Sequence, residues 1–217
     1  MVTVNNNKQI KKELERVLRN SDIISIVNRG VTTTTLEVTL SADTSYLLNV
    51  ANVKNIRSIT GLTFGTDYLY DVDYLDTTIK CNITFTTAKT GVFSIVYDSG
   101  DRDSIYYGYP RIENNLDNYP FVSIYITSSK TDPISSDGHN YSQEFMISFG
   151  AFCKDDDSVD DLISSIKSTL YNNYIRFYYL RFLRPLNESP ILYDPNRQNK
   201  IVFKTIDFIA PLNEEFI

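Results

Sequence analysis

The sequence predicts an α+β fold, an antiparallel sheet packed by helices, with an inserted all-β sandwich or barrel module. Three features lead there. A helical period of apolar residues begins near residue 10 and another near residue 159. Between residues 31 and 99 short β-branched segments alternate with no helical period. After residue 120 the order becomes strand, strand, helix, strand, completing one layered α+β unit with the first helix. The expected division is therefore 1–29 plus 101–217 as the core domain and 30–100 as the insert. With 217 residues and 42% hydrophobic content the chain can build a real core.

The first helix rests on Ile10, Leu14, Val17 and Leu18, with Lys11, Lys12, Glu13, Glu15 and Arg16 on its other faces. Asn6 or Asn7 can cap it, and Asn28-Arg29-Gly30 marks its expected end, so it reads as a helix covering a sheet. The stretch VTTTTLEVTL from Val31 is a strand by alternation, followed by strands at 45–50, 56–62, 68–74, 78–85 and 91–97. Turns are expected at 41–44, 65–67, 75–76 and 89–91. Sixteen Tyr and twelve Phe favour strands. Regular strand spacing without a helix suggests the sandwich or barrel.

A Tyr-Pro break at Tyr119-Pro120 precedes a strand at 121–128. A polar loop at 129–140 follows, then a strand at 141–153 and an acidic run opening an amphipathic helix. Val159, Leu162, Ile163, Ile166 and Leu170 share one face of that helix, and Ser158 with Asp161 has the spacing of a capping box. A loop-rich segment leads to a closing strand at 200–209.

Few constellations suggest chemistry. Asp155, Asp156, Asp157, Asp160 and Asp161 could attract calcium, but consecutive carboxylates running into a helix are better explained by the helix dipole. Asp67, Asp71, Asp73 and Asp76 form a second acidic group, with Asp71 and Asp73 expected on one solvent face of a sheet. The single histidine, His139, lies near Ser135, Ser136 and Asp137 without a nucleophile elbow, and reads as an exposed loop residue. No phosphate-cradling glycine loop occurs, so no cofactor is expected and the chain is not expected to be an enzyme. Cys81 and Cys153 read as core residues, not as a disulfide or a zinc site.

The net charge is −6, with twelve acidic against four basic residues in 101–161. That balance disfavours general nucleic-acid binding, which needs clustered Lys and Arg. Residues 174–185, YIRFYYLRFLRP, interleave arginines with aromatics. The pattern suits single-stranded nucleic acid or a buried or interface strand, and the interface is favoured because Arg and aromatics are enriched there. The first residues, MVTVNNNKQIKKELERVL, lack a signal-peptide core, and no apolar run is long enough to span a bilayer, so cytoplasmic assembly without a membrane is expected.

Three segments carry a resemblance: PRIENNLDNYPFVSIYITSS, QEFMISFGAFCKDDDSVDDLISSIKSTL and NKIVFKTIDFIAPLNEEF. Together with the first helix they resemble the tail terminator or tail-completion proteins of tailed bacteriophages. The resemblance implies a virion structural protein of the tail–neck junction, a subunit of a homohexameric ring that caps the tail tube and joins it to the neck or head connector. Genomic DNA would pass through its lumen without specific binding. TGLTFGTDYLYDVDY and the strands after it resemble a β module inserted in phage structural proteins, a departure from the plain family pattern. The alternative is another neck, adaptor or baseplate protein that binds through this module. Two polar segments, 129–140 and 184–199, are the expected inter-ring or partner contacts, through Lys130, Asp132, Asp137, His139, Asn187, Glu188, Tyr193 and Arg197. Arg176, Tyr179, Arg181 and Arg184 are the expected subunit interface.

Overall fold

A computed structural model describes residues 6–21, 23–71, 81–100, 104–108, 119–133, 141–173, 177–193 and 201–212. The elements run α1 (Asn6–Arg19), a 3-10 turn (Ser25–Asn28), β1 (Thr32–Leu48), β2 (Val53–Ile59), β3 (Tyr68–Asp71) and β4 (Cys81–Ser99). They continue with β5 (Ile105–Tyr107), β6 (Phe121–Pro133), β7 (Tyr141–Cys153), α2 (Asp156–Asn172), β8 (Arg184–Glu188), β9 (Leu192–Tyr193) and β10 (Val202–Pro211). The chain divides into two compact units, Met1–Val27 with Asp103–Ile217, and Asn28–Arg102.

The unit Asn28–Arg102 is built on one long antiparallel ladder between β1 and β4. β2 pairs with the C-terminal half of β4 and β3 with its N-terminal half. The expected turns at 41–44 and 89–91 are not turns. They face each other across the ladder as an irregularity, where Ser41 pairs with Thr90 and Asp43 with Lys89. Ala42 is the extra residue of the first shift and takes a positive φ, as does Gly91; a larger shift follows, where Ser45 pairs with Thr84, and the Asp43 carboxylate accepts from the Ser41 N–H. Residues that read as turn formers here make a β-bulge and leave the strands continuous. Both halves of the ladder feed one apolar cluster that includes Val38, Leu40, Leu48, Ile56, Tyr68, Ile83 and Ile95.

In the other unit the sheet order is β5-β6-β7-β10-β8, with β9 also on β10. β5 runs parallel to β6, so the sheet is mixed and not purely antiparallel. α2 packs on β7 and β10, and α1 packs on β6 and α2. The helix-facing side carries Phe145, Ile147, Phe149, Ile206 and Phe208, all buried. On the reverse side Tyr106, Phe121, Phe152 and Phe203 meet ring to ring across β5, β6, β7 and β10. Gly150 lies in this face because a Cβ there would meet the Ser123 hydroxyl at 2.5 Å.

Three boundaries differ from expectation. α1 ends at Arg19, not near residue 28, because Ser21 turns the chain: its hydroxyl accepts from the Ile23 N–H and bonds Thr169 of α2. α2 is capped by Asp155, whose carboxylate accepts from the Ser158 N–H at 2.8 Å, so Ser158 is inside the helix and is not its cap. The Ser158 hydroxyl, and then its N–H, hold the Asp155 carboxyl below its ordinary pKa. The segments read as long loops are partly strand, since β6 runs on through Pro133 and 184–193 contains β8 and β9.

Candidate assembly surface

Residues 177–183 are not the expected strand. They cross the end of β10 in an irregular path, where Arg181 donates its N–H to the Pro211 carbonyl and Leu180 bridges Leu212. What fixes this path lies behind it. Glu13 of α1 is 1% exposed, and its carboxylate accepts the backbone N–H groups of Tyr178 and Tyr179. Burial pushes the carboxyl up to about 7 against the opposing pull of those N–H donors and of Arg16.

Its neighbours on α1 are held in the same way. Glu15 takes the Arg19 Nε at 2.6 Å and the Tyr107 hydroxyl, and the Arg19 guanidinium also donates to the Val27 carbonyl. The helix expected to show its charged residues on its other faces thus buries Lys12, Glu13, Glu15 and Arg19. Charge in a run such as KKELER signals a wet face; only the fold shows that other segments close over it.

Outward, the same chain offers Arg181, Phe182 and Arg184, then Leu186, Leu192 and Tyr193, all exposed. β8 and β9 are anchored from one side only among the described residues, by pairing with β10. Glu188 fastens β8 further: it takes Lys167 of α2 at 2.5 Å and Lys204 of β10 at 2.7 Å. Those two ammonium groups hold the Glu188 carboxyl below its ordinary pKa. Lys204 also meets Asp160 at 2.7 Å, and the Tyr193 hydroxyl donates to Asp156. The three lysine pairs are worth roughly 1 kcal/mol or less each, and they set position more than stability.

A second surface lies at the start of α2. An open groove of about 240 Å³ is lined by Ile23, Ile24, Pro120, Ser158, Asp161 and Leu162, among others. Ile23 is 51% exposed at its edge.

The residues expected at contacts fall into separate places. Arg181, Arg184, Asn187, Glu188 and Tyr193 share the exposed stretch described above. Tyr179 is 1% exposed, so its ring contributes to the unit's own interior and not to its surface. Lys130 and Asp132 are on β6, paired with Glu144 and Ser142 of β7. Arg176, Asp137, His139 and Arg197 lie outside the described residues, as do Asp73 and Asp76 of the second acidic group. Asp67 of that group accepts from the Thr63 N–H and pairs with Lys89. Sequence reasoning placed Phe182 in the contact segment 174–185 but missed Ile23 and Glu13.

Among the described residues no group of three or more His, Cys, Asp or Glu could hold a metal ion, and no helix is long and apolar enough to cross a membrane. Cys81 and Cys153 are both free and buried, and burial pushes the Cys153 thiol up to about 12, away from reactivity. The class the fold defines is a mixed α+β protein with, among the described residues, two α-helices, an antiparallel sheet and a mixed sheet. A scan against protein-family models and a search of characterised proteins both return no match.

Proposed function

We propose that this chain is a structural subunit of a tailed-phage virion that works by assembly and not by catalysis. It forms a closed, six-membered ring that caps the tail tube and joins it to the head connector, with DNA passing through the lumen without specific binding. One observation carries the reading. Phe182, Leu186, Leu192 and Tyr193 stay exposed along one sheet edge, beside Arg181 and Arg184, in the unit whose element order bears the resemblance. Apolar groups gathered at an edge with arginines are what a protein–protein contact uses. A ring needs a contact of two unlike surfaces that closes on itself.

A second reading, a neck, adaptor or baseplate protein that binds through its β module, draws on the separate apolar cluster of Asn28–Arg102. Negative-stain imaging of concentrated protein, with mass from light scattering, separates the two. Closed six-fold rings with a central hole are the expected result. A monomer at every concentration would favour the binding module.

A further inference from the structure

Two surfaces of the sheet-and-helix unit carry opposite charges beside apolar groups and sit at opposite ends of it. The first is the projection Arg181-Phe182-Leu183-Arg184. Leu183 is buried and anchors it, while Phe182 is 41% exposed between two exposed arginines. It lies at the Pro211 end of β10, because Arg181 bonds Pro211 and Arg184 pairs with Ile209.

The second surface is the groove between Ile23, Pro120 and Leu162, with Asp161 among its lining residues. It lies at the other end of β10. Val202 pairs with Cys153, which leads into α2, and Phe121, next to Pro120, pairs with Phe152. At the usual rise per residue of a strand the two ends of β10 are about 30 Å apart. The groove is also on the β6 side of the sheet and the projection on the β8 side. The projection therefore does not fill the groove of its own chain.

We propose that Phe182 of one copy seats in the Ile23–Pro120–Leu162 groove of a second copy, with Arg184 meeting Asp161 there. The groove, at about 240 Å³, is smaller than a typical small-molecule pocket and suits a single large side chain. Arginine beside a carboxylate at the rim gives the contact its register, and the aromatic ring supplies the buried apolar area. The acidic bias continues through Asp156, Asp157 and Asp160, all exposed on the same helix start. Because projection and groove are unlike and lie apart, the contact is head-to-tail, the type that generates rings or filaments. The contact rests on the ring reading above and names the surfaces that would make it.

The test is a charge swap. Arg184→Glu and Asp161→Lys each place like charges across the contact, and each should weaken self-association about a hundredfold. Phe182→Ala should weaken it about thirtyfold or more. All three are surface changes, and an unchanged circular dichroism spectrum and melting temperature show that each variant folds. An equal mixture of Arg184→Glu and Asp161→Lys should assemble again, since every mixed contact then pairs opposite charges.

As a second measurement, a chain carrying both Ser158→Cys and Arg181→Cys, which keeps Phe182 and Ile23, should give a ladder of intermolecular disulfides under a mild oxidant, the buried natural thiols being protected. Assembly of the single variants at wild-type strength, with no ladder, overturns this contact and leaves the ring reading standing. A wild-type chain that stays monomeric and a double-cysteine chain that gives no ladder overturn both.

Discussion

The two units bury charge in different ways. In Asn28–Arg102 the buried Asp98 is answered by its sheet neighbours: the Thr33 hydroxyl at 2.7 Å, Arg57 Nε at 2.7 Å and Asn55 Nδ2 at 3.0 Å. All four residues lie on the β1, β2 and β4 strands. In the other unit Glu13 and Glu15 of α1 are answered by Tyr178, Tyr179 and Tyr107, from segments that join the helix only when the whole unit is folded. The difference is one of cooperativity. The ladder satisfies its charge from within one small sheet, whereas Glu13 of α1 is satisfied only by completed tertiary structure and Glu15 is met partly within its own helix, by Arg19.

Three experiments sharpen or break that contrast. The largest effect is expected from Glu15→Ala, which leaves the fully buried Arg19 with the Val27 carbonyl but without its carboxylate. Breaking a buried pair from one side costs about 4 kcal/mol. The loss should appear as a lower melting transition for the sheet-and-helix unit in calorimetry. A loss under 1 kcal/mol would show that α1 does not depend on the pair.

Next is Ile83→Ala in the β1–β4 ladder. Ile83 is fully buried in the apolar cluster, and its truncation should cost about 3 kcal/mol. If the two units melt independently, hydrogen exchange should accelerate in Asn28–Arg102 alone. Equal acceleration in α1 and α2 would show that the units fold as one.

The smallest effect is pH-dependent. Glu13 titrates at about 7 in the folded chain against an ordinary 4.5, so the folded state holds this proton more tightly than the unfolded one. Its contribution is fully present below pH 4.5 and is lost as pH rises through 7. A shift of that size corresponds to no more than about 3 kcal/mol. Denaturant titrations at pH 5 and pH 8 should show this fall in the natural chain. Glu13→Gln can still accept the Tyr178 and Tyr179 N–H groups but cannot titrate, and should flatten it. A pH profile unchanged by the substitution would assign the fall to another group.

The same contrast marks what could be read from the sequence. Alternation in LEVTL placed Val38 and Leu40 inside, and the period of Val159, Leu162, Ile163, Ile166 and Leu170 placed the buried face of α2. Both patterns are local and follow from backbone geometry. Ser41 to Asp43 and Lys89 to Gly91 misled because turn-forming residues and bulge-forming residues share the same backbone needs. β5 went unrecognised because three residues carry no period. For the candidate surface, the arginines and aromatics of 174–185 were legible as a contact segment. Which of them face out was not, because Glu13, more than 160 positions earlier, decides the path of Tyr178 and Tyr179.

The glycines at the base of the β1–β4 ladder have a consequence for how such a chain could arise. A Cβ on Gly100 would meet the Gly30 carbonyl oxygen at 2.2 Å, so the strands leading in and out of Asn28–Arg102 run in direct contact. Thr32 pairs with Ser99 immediately above them. The chain therefore enters and leaves that unit at neighbouring points. Sequence of that kind can be gained, lost or exchanged between genes without disturbing the residues on either side.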